Sequence, residues 1–158
     1  MFQDNLTIPE GYLYIYKKFS DGSEKLVYEG KNLIVTSGKY ILINQLYYSG
    51  SGDPITYAKV GTGGSFDPEG LFLKAPTKDM TDLYNPVATA SVVKTDQDVS
   101  IPTVTLLANL DSGAGNGHFI NEAGFFSSSG LMFNIKVFPG ITKNSSFSLI
   151  FKWVIKML

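Results

Sequence analysis

From Phe147 to the end the chain alternates: Phe147, Leu149, Phe151, Trp153, Ile155 and Met157 fall on one set of positions, with Ser148, Lys152 and Lys156 between them beside Ile150 and Val154. Strand side chains point to opposite faces with a period of two, so this pattern buries one whole face. A helix would scatter the same residues around its axis. The stripe recurs. Leu131, Phe133, Ile135 and Val137 alternate with Asn134 and Lys136, and Val104, Leu106, Ala108 and Leu110 form a further row. A single stripe cannot bury itself, and several require facing layers. The expected fold is therefore mainly β, an antiparallel β-sandwich of jelly-roll-like form with strands at 87–95, 101–110, 119–126, 131–138 and 147–156. Residues 87–158 are expected to carry the core, with Trp153 buried in it.

The first half reads differently. Tyr12 to Lys18 and Lys25 to Glu29 are rich in aromatic and β-branched residues and flank Asp21-Gly22. Asp-Gly tolerates the positive φ of a tight turn, so residues 12–29 are expected to form a hairpin. One short α-helix is expected near residues 37–48, with Thr36 or Ser37 as N-cap, Tyr40, Ile43 and Leu46 or Tyr47 as its apolar face, and Gly50 as its stop. Ile55 to Val60 reads as a strand that ends in Gly61-Thr62-Gly63-Gly64. Residues 61–86, broken by Pro68, Pro76 and Pro86, read as a long loop with one helical turn near 78–83.

Composition narrows the partners. The 158 residues suit one domain spanning 1–158. Thirteen basic against 14 acidic residues leave a net charge of −1, without the cationic excess that holds a phosphate backbone, so no nucleic-acid partner is expected. The absence of cysteine removes disulfides, thiolate zinc sites and cysteine nucleophiles. MFQDNLTIPEG lacks the basic and apolar regions of a secretory signal, and every apolar run is too short for a membrane-spanning helix. Synthesis in a cytoplasm and no membrane partner are expected. Only 17% of residues are charged while 44% are apolar, a balance that points to a surface partly covered by neighbouring subunits.

Chemistry-bearing motifs are sparse. Gly61, Gly63 and Gly64 permit an abrupt exit from a strand, but no Gly-Lys-Ser or Gly-Lys-Thr follows, so a phosphate loop is not expected. His118 is the single histidine, which leaves no zinc set; a triad would have to draw on Ser112 or Ser127 and Asp111, with no nucleophile elbow present. Asp67, Glu69, Asp79, Asp82, Asp111 and Asn116 do not follow calcium-loop spacing and read as solvated loop groups. Glu122 lies among Phe119, Ile120, Ala123, Phe125 and Phe126, where an unpaired carboxylate is costly. Its expected partner is a backbone N–H, a lysine such as Lys136 or Lys143, or a neighbouring subunit. Gly124 suggests a bulge or a close backbone approach. No catalytic, cofactor-binding or metal-ligating residue is expected. The structural and assembly set is Gly61, Gly63, Glu122, Gly124 and Trp153.

Taken in order, Asn32-Leu33-Ile34-Val35-x-x-Gly38, Ala58-Lys59-Val60-Gly61-Thr62-Gly63, Glu122-Ala123-Gly124-Phe125-Phe126 and Phe151-Lys152-Trp153-Val154-Ile155 resemble a family of small structural proteins of tailed bacteriophages. Members of that family carry an N-L-I-V segment before a helix, an A-V-G-T-G strand end, an E-A-G-L-F turn and a terminal W-x-I strand. The likeness runs from about residue 31 to the C-terminus. Lys59 and Phe125 depart from it, and the family's arginine after its central acidic region has no counterpart. The resemblance implies a non-enzymatic virion protein, in a tail fibre, a baseplate or a capsid decoration, that binds other virion proteins. It also implies a homo-oligomer, with a trimer as the expected state. The hairpin 12–29 and the loop 61–86 are the expected docking elements. The alternatives are a receptor-binding tip that recognises host saccharide or protein, and a small cell-wall or capsule hydrolase.

Overall fold

A computed structural model describes residues 9–47, 52–98, 100 and 102–156. Its elements are β1 (Glu10–Phe19), β2 (Glu24–Lys31), β3 (Leu33–Ile34), α1 (Thr36–Tyr47), β4 (Ile55–Gly61), β5 (Pro86–Asp98), β6 (Thr103–Leu110), β7 (Phe119–Ser127), β8 (Asn134–Thr142) and β9 (Phe147–Lys156). The protein is mainly β and antiparallel with one short helix, as the stripes require. The facing layers are parts of one sheet in the order β2-β1-β9-β6-β5-β4-β7-β8-β3.

Two long segments turn that sheet back on itself. Pro86–Ser91 of β5 pairs with β4, and Val92–Asp98 continues along β6. At the other end β2 pairs with β1, while β3, one residue further on, pairs with β8. The sheet is thus nearly closed into a barrel. Tyr28 of β2 packs on Phe138 of β8 across the remaining seam, with ring centroids 5.5 Å apart.

The core follows the β9 stripe. Phe147, Leu149, Phe151, Trp153 and Ile155 are all buried, and Met157 lies outside the described residues. The Trp153 ring meets Phe125 of β7 at 4.5 Å, at a tilt of 55°. The β6 row is also buried at Leu106, Ala108 and Leu110. The core is not confined to residues 87–158, however. Leu13 and Ile15 of β1 are fully buried, opposite Trp153 and Phe151 in the β1–β9 register. A strand buried along its whole face needs a neighbour on each edge; β6 supplies one and the N-terminal hairpin the other. The hairpin is therefore barrel wall, and its turn holds Gly22 at φ 86°, as Asp-Gly requires.

Two further expectations need correction. The strand expected at 131–138 begins three residues later, at Asn134, because Ser127–Leu131 forms a tight turn. There Ser127 N donates to the Leu131 carbonyl at 2.9 Å, and Leu131 is exposed. The helix forms where expected, but its buried face is another one. Ile41 is 3% exposed, whereas Tyr40 and Ile43 are 60% and 61% exposed; the Leu46 and Tyr47 side chains lie outside the described residues. Gly38 sets this rotation, since any Cβ there would strike the Phe133 carbonyl oxygen. The residues one turn on, Ile41 and Leu42, then face the sheet. Ser37 caps nothing: its hydroxyl donates to the Met132 carbonyl at 2.6 Å, and Lys39 N starts the helix by donating to the Val35 carbonyl at 3.2 Å.

Candidate functional site: a clamped loop on the barrel wall

Residues 62–85 join β4 to β5 without a strand or helix of their own. Between residues 78 and 83 there is no helical turn; a single hydrogen bond, Met80 N to the Thr77 carbonyl at 3.2 Å, closes the bend. Such a loop must bury something to stay put. Leu83 and Met80 join Phe126, Ile135, Met132 and Val35 in a second apolar cluster. Phe125 belongs to the main core and Phe126 to this second cluster, so β7 is covered on both faces.

β7 also supplies the polar fasteners. The Glu122 carboxylate is fully buried and accepts three backbone N–H groups: Asn85 at 2.8 Å and Gly63 at 3.1 Å on Oε1, and Tyr84 at 2.9 Å on Oε2. Both ends of the loop are held by one side chain. Of the expected partners for Glu122 the backbone is the one present. Next to it Asn121 Oδ1 accepts Gly64 N at 2.8 Å, and Asn121 Nδ2 donates to Ser65 Oγ at 3.1 Å. Consecutive strand residues ordinarily point to opposite faces; a register shift between Ile120 and Glu122 lets both reach the same loop.

The glycines make this approach possible. A Cβ on Gly61 would strike the Asn85 carbonyl and Glu122 Oε1, and one on Gly63 would lie 2.5 Å from Tyr84 Cβ. On Gly124 it would lie 2.6 Å from the Asn134 carbonyl, so this glycine marks a close approach. Lys59, the residue that departs from the apolar strand pattern, points outward. Its Nζ lies 4.5 Å from the Phe126 ring centroid and 3.0 Å from Asp82 Oδ1.

The loop tip is tied off as well. Asp67 is no idle solvated acid: its carboxylate accepts Phe72 N at 2.7 Å and Leu71 N at 3.0 Å, hydrogen bonds that hold its pKa below the usual carboxylate range. Phe66 N donates to the Phe72 carbonyl at 2.8 Å, and Ser65 pairs with Leu73. Gly70 makes the reversal at φ 73°. This knot presents Phe66, Leu71 and Phe72 at 77%, 74% and 67% exposure.

No protein-family model, curated protein or solved structure matches this chain.

The remaining chemistry-bearing groups are dispersed. Ser127 donates to Asp53 Oδ2 at 2.7 Å, within a clasp in which Asp53 also receives the Ser128 hydroxyl, the Ser129 hydroxyl and Ser129 N. Burial alone would raise the Asp53 carboxyl, but these hydrogen bonds outweigh it and hold the pKa at about 2. Asp111 accepts Gly113 N at 2.9 Å. Lys143 is buried under the 112–117 loop, its Nζ donating to Asn116 Oδ1 at 2.8 Å and the Asn144 carbonyl at 3.0 Å, and burial pushes the amine's pKa down. Ser127 and Asp111, two of the groups that a triad with His118 would draw on, are thus engaged elsewhere. Trp153, in the main core, lies apart from the loop. Asn121 and Asp53 were not singled out from the sequence, and Asp67 was expected as a solvated loop group rather than as the residue that closes the loop tip. The adjacent polar pair Asn121-Glu122 inside an apolar strand was the available signal for the first.

Proposed function

We propose that this protein is a non-enzymatic structural component of a tailed-bacteriophage particle that docks on other virion proteins through the tip of the 62–85 loop. The observation that carries this reading is the pinned apolar tip, with Leu71 and Phe72 presented to solvent by a turn that Asp67 closes. An exposed apolar cluster is costly in water, and an ordered one loses little conformational freedom when a partner covers it. The use of Glu122, Asp53 and Asp67 as fasteners supports a role in binding. The ordered motif set between residues 31 and 158 supports a phage particle as its place. A homo-oligomer, as a trimer, is part of the same proposal, since it would cover the weakly charged surface.

Deleting residues 1–29 cannot test docking, because it removes β1 from the barrel. The double variant Leu71→Asp/Phe72→Asp alters exposed side chains alone. It is expected to keep the wild-type thermal transition, to lose incorporation into particles, and to lower the mass measured by light scattering. Normal incorporation and an unchanged mass would overturn the docking reading.

A further inference from the structure

Beside the clamped loop lies an open cleft of about 420 Å3, bordered by Thr62, Ser65, Phe66, Asp67, His118 and Phe119. One wall is the loop held by Asn121 and Glu122; the other is the turn that leads into β7. Leu71 and Phe72, the docking residues, do not border it. The volume falls within the range of small-ligand sites, roughly 300–1,000 Å3. The cleft is half polar in character and open, unlike a pocket for a lipid or another wholly apolar ligand.

Its groups are poised for a particular class of molecule. The Phe66 ring is held by Lys74, whose Nζ stands over it 5.5 Å from the centroid, and the rest of the ring is open to solvent. Across the cleft His118 is exposed and engaged through its backbone, N to the Gly115 carbonyl and its own carbonyl to Lys143 N; among the described residues no group hydrogen-bonds its imidazole. Each Asp67 oxygen takes one backbone N–H and retains capacity for a further donor. Thr62 Oγ1 accepts Asn85 Nδ2 and keeps its own proton to donate. The residues that border the cleft thus include an aromatic ring, a carboxylate, a hydroxyl and an imidazole.

We propose that this cleft binds a neutral saccharide, with one pyranose ring stacked on Phe66 and its hydroxyls bonded by Asp67, Thr62 and His118. The C–H face of a pyranose carries a slight positive charge and is drawn to the negative face of an aromatic ring, as ring edges are. Sugar hydroxyls both donate and accept, which this mixed set of groups can satisfy. A nucleotide would also stack on Phe66, and Lys74, whose Nζ stands over that ring, is a cation near its phosphates. The Asp67 carboxylate at the cleft border opposes them, and binding of a nucleotide in place of a saccharide would overturn the proposal. The same carboxylate disfavours an acidic sugar.

The test is an NMR titration of the isotopically labelled full chain with the neutral oligosaccharides maltoheptaose, cellohexaose and hexa-N-acetylchitohexaose. Saturable amide shifts are expected at Ser65, Gly117, His118 and Phe119 with at least one of these. Phe66→Ala and His118→Ala should each weaken that binding by about tenfold or more, while Phe66→Trp retains it. Both side chains are exposed, so the thermal transition should not move. Leu71→Asp/Phe72→Asp should leave saccharide binding intact, which separates this site from the docking tip. Absence of saturable shifts with all three sugars, shifts centred elsewhere, or indifference to Phe66→Ala would overturn the proposal.

Discussion

Glutamine at position 122 is nearly the same size as glutamate yet cannot do its work. Glu122 Oε1 serves two N–H groups and Oε2 one, so an amide oxygen in the Oε1 place preserves the bonds from Gly63 and Asn85. Its NH2 then faces the Tyr84 N–H, donor against donor. One charge-assisted hydrogen bond, worth about 1.5–3 kcal/mol, is lost. The orphaned amide would add about 1–3 kcal/mol if it were fully sealed. Tyr84 and Asn85 lie at an exposed chain segment, where water can reach part of what is lost, so the lower end applies. Glu122→Gln should cost about 2 kcal/mol, and Glu122→Ala, which strands three donors, about 3 kcal/mol. In a domain of this size the Gln variant should melt about 4–8 °C lower. Urea unfolding should show a lower midpoint at constant slope, and the amides of Gly63, Tyr84 and Asn85 should exchange faster than those of β9. An unchanged midpoint together with unchanged exchange at those amides would refute the clamp.

Trp153→Ala should cost about 3–5 kcal/mol in chemical denaturation, as expected for a fully buried indole. Trp153→Phe should cost clearly less, because Trp153 Nε1 is buried without a hydrogen-bond partner and its removal relieves a polar penalty. Gly38→Ala should lower the melting temperature despite alanine's better helix propensity, since the added methyl meets the Phe133 carbonyl; a stabilised variant would show that the helix is not seated there. The depressed Asp53 pKa adds stability that is present at neutral pH and lost as pH falls from 3.8 towards 2. Solvent screening limits it to under about 1 kcal/mol. An acid titration of Asp53→Asn should lack that part of the decline.

Much of the strand content could be read in advance because strand periodicity is a local property, whereas the joining of the strands into one nearly closed sheet, in place of a sandwich of two facing sheets, depends on pairings between distant segments. β9 begins at Phe147 and keeps its buried face to Ile155, since ten residues of strict alternation admit one register against a core. β8 was misplaced by three residues. The alternation of Leu131, Phe133, Ile135 and Val137 runs on through the turn that precedes the strand, where Leu131 is exposed and its carbonyl accepts Ser127 N, so the period by itself does not mark where pairing begins. The isolation of Glu122 in an apolar strand was also visible. Its partners were not, since Gly63, Tyr84 and Asn85 stand 59, 38 and 37 residues away.

By itself the sequence determined the antiparallel β class, the hairpin turn at Asp21-Gly22, the burial of Trp153 and the need of Glu122 for a partner. Each follows from neighbouring residues through side-chain period, turn geometry or desolvation. Only the tertiary structure decided that the hairpin is barrel wall, that α1 turns Ile41 inward, and that the Asn121-Glu122 pair holds the loop carrying Phe66 and Phe72. Those outcomes depend on contacts such as Gly38 with Phe133 and Leu13 with Trp153, which join distant parts of the chain. No local pattern encodes them: a helix with apolar residues on several sides can dock on any of them until a partner excludes all but one.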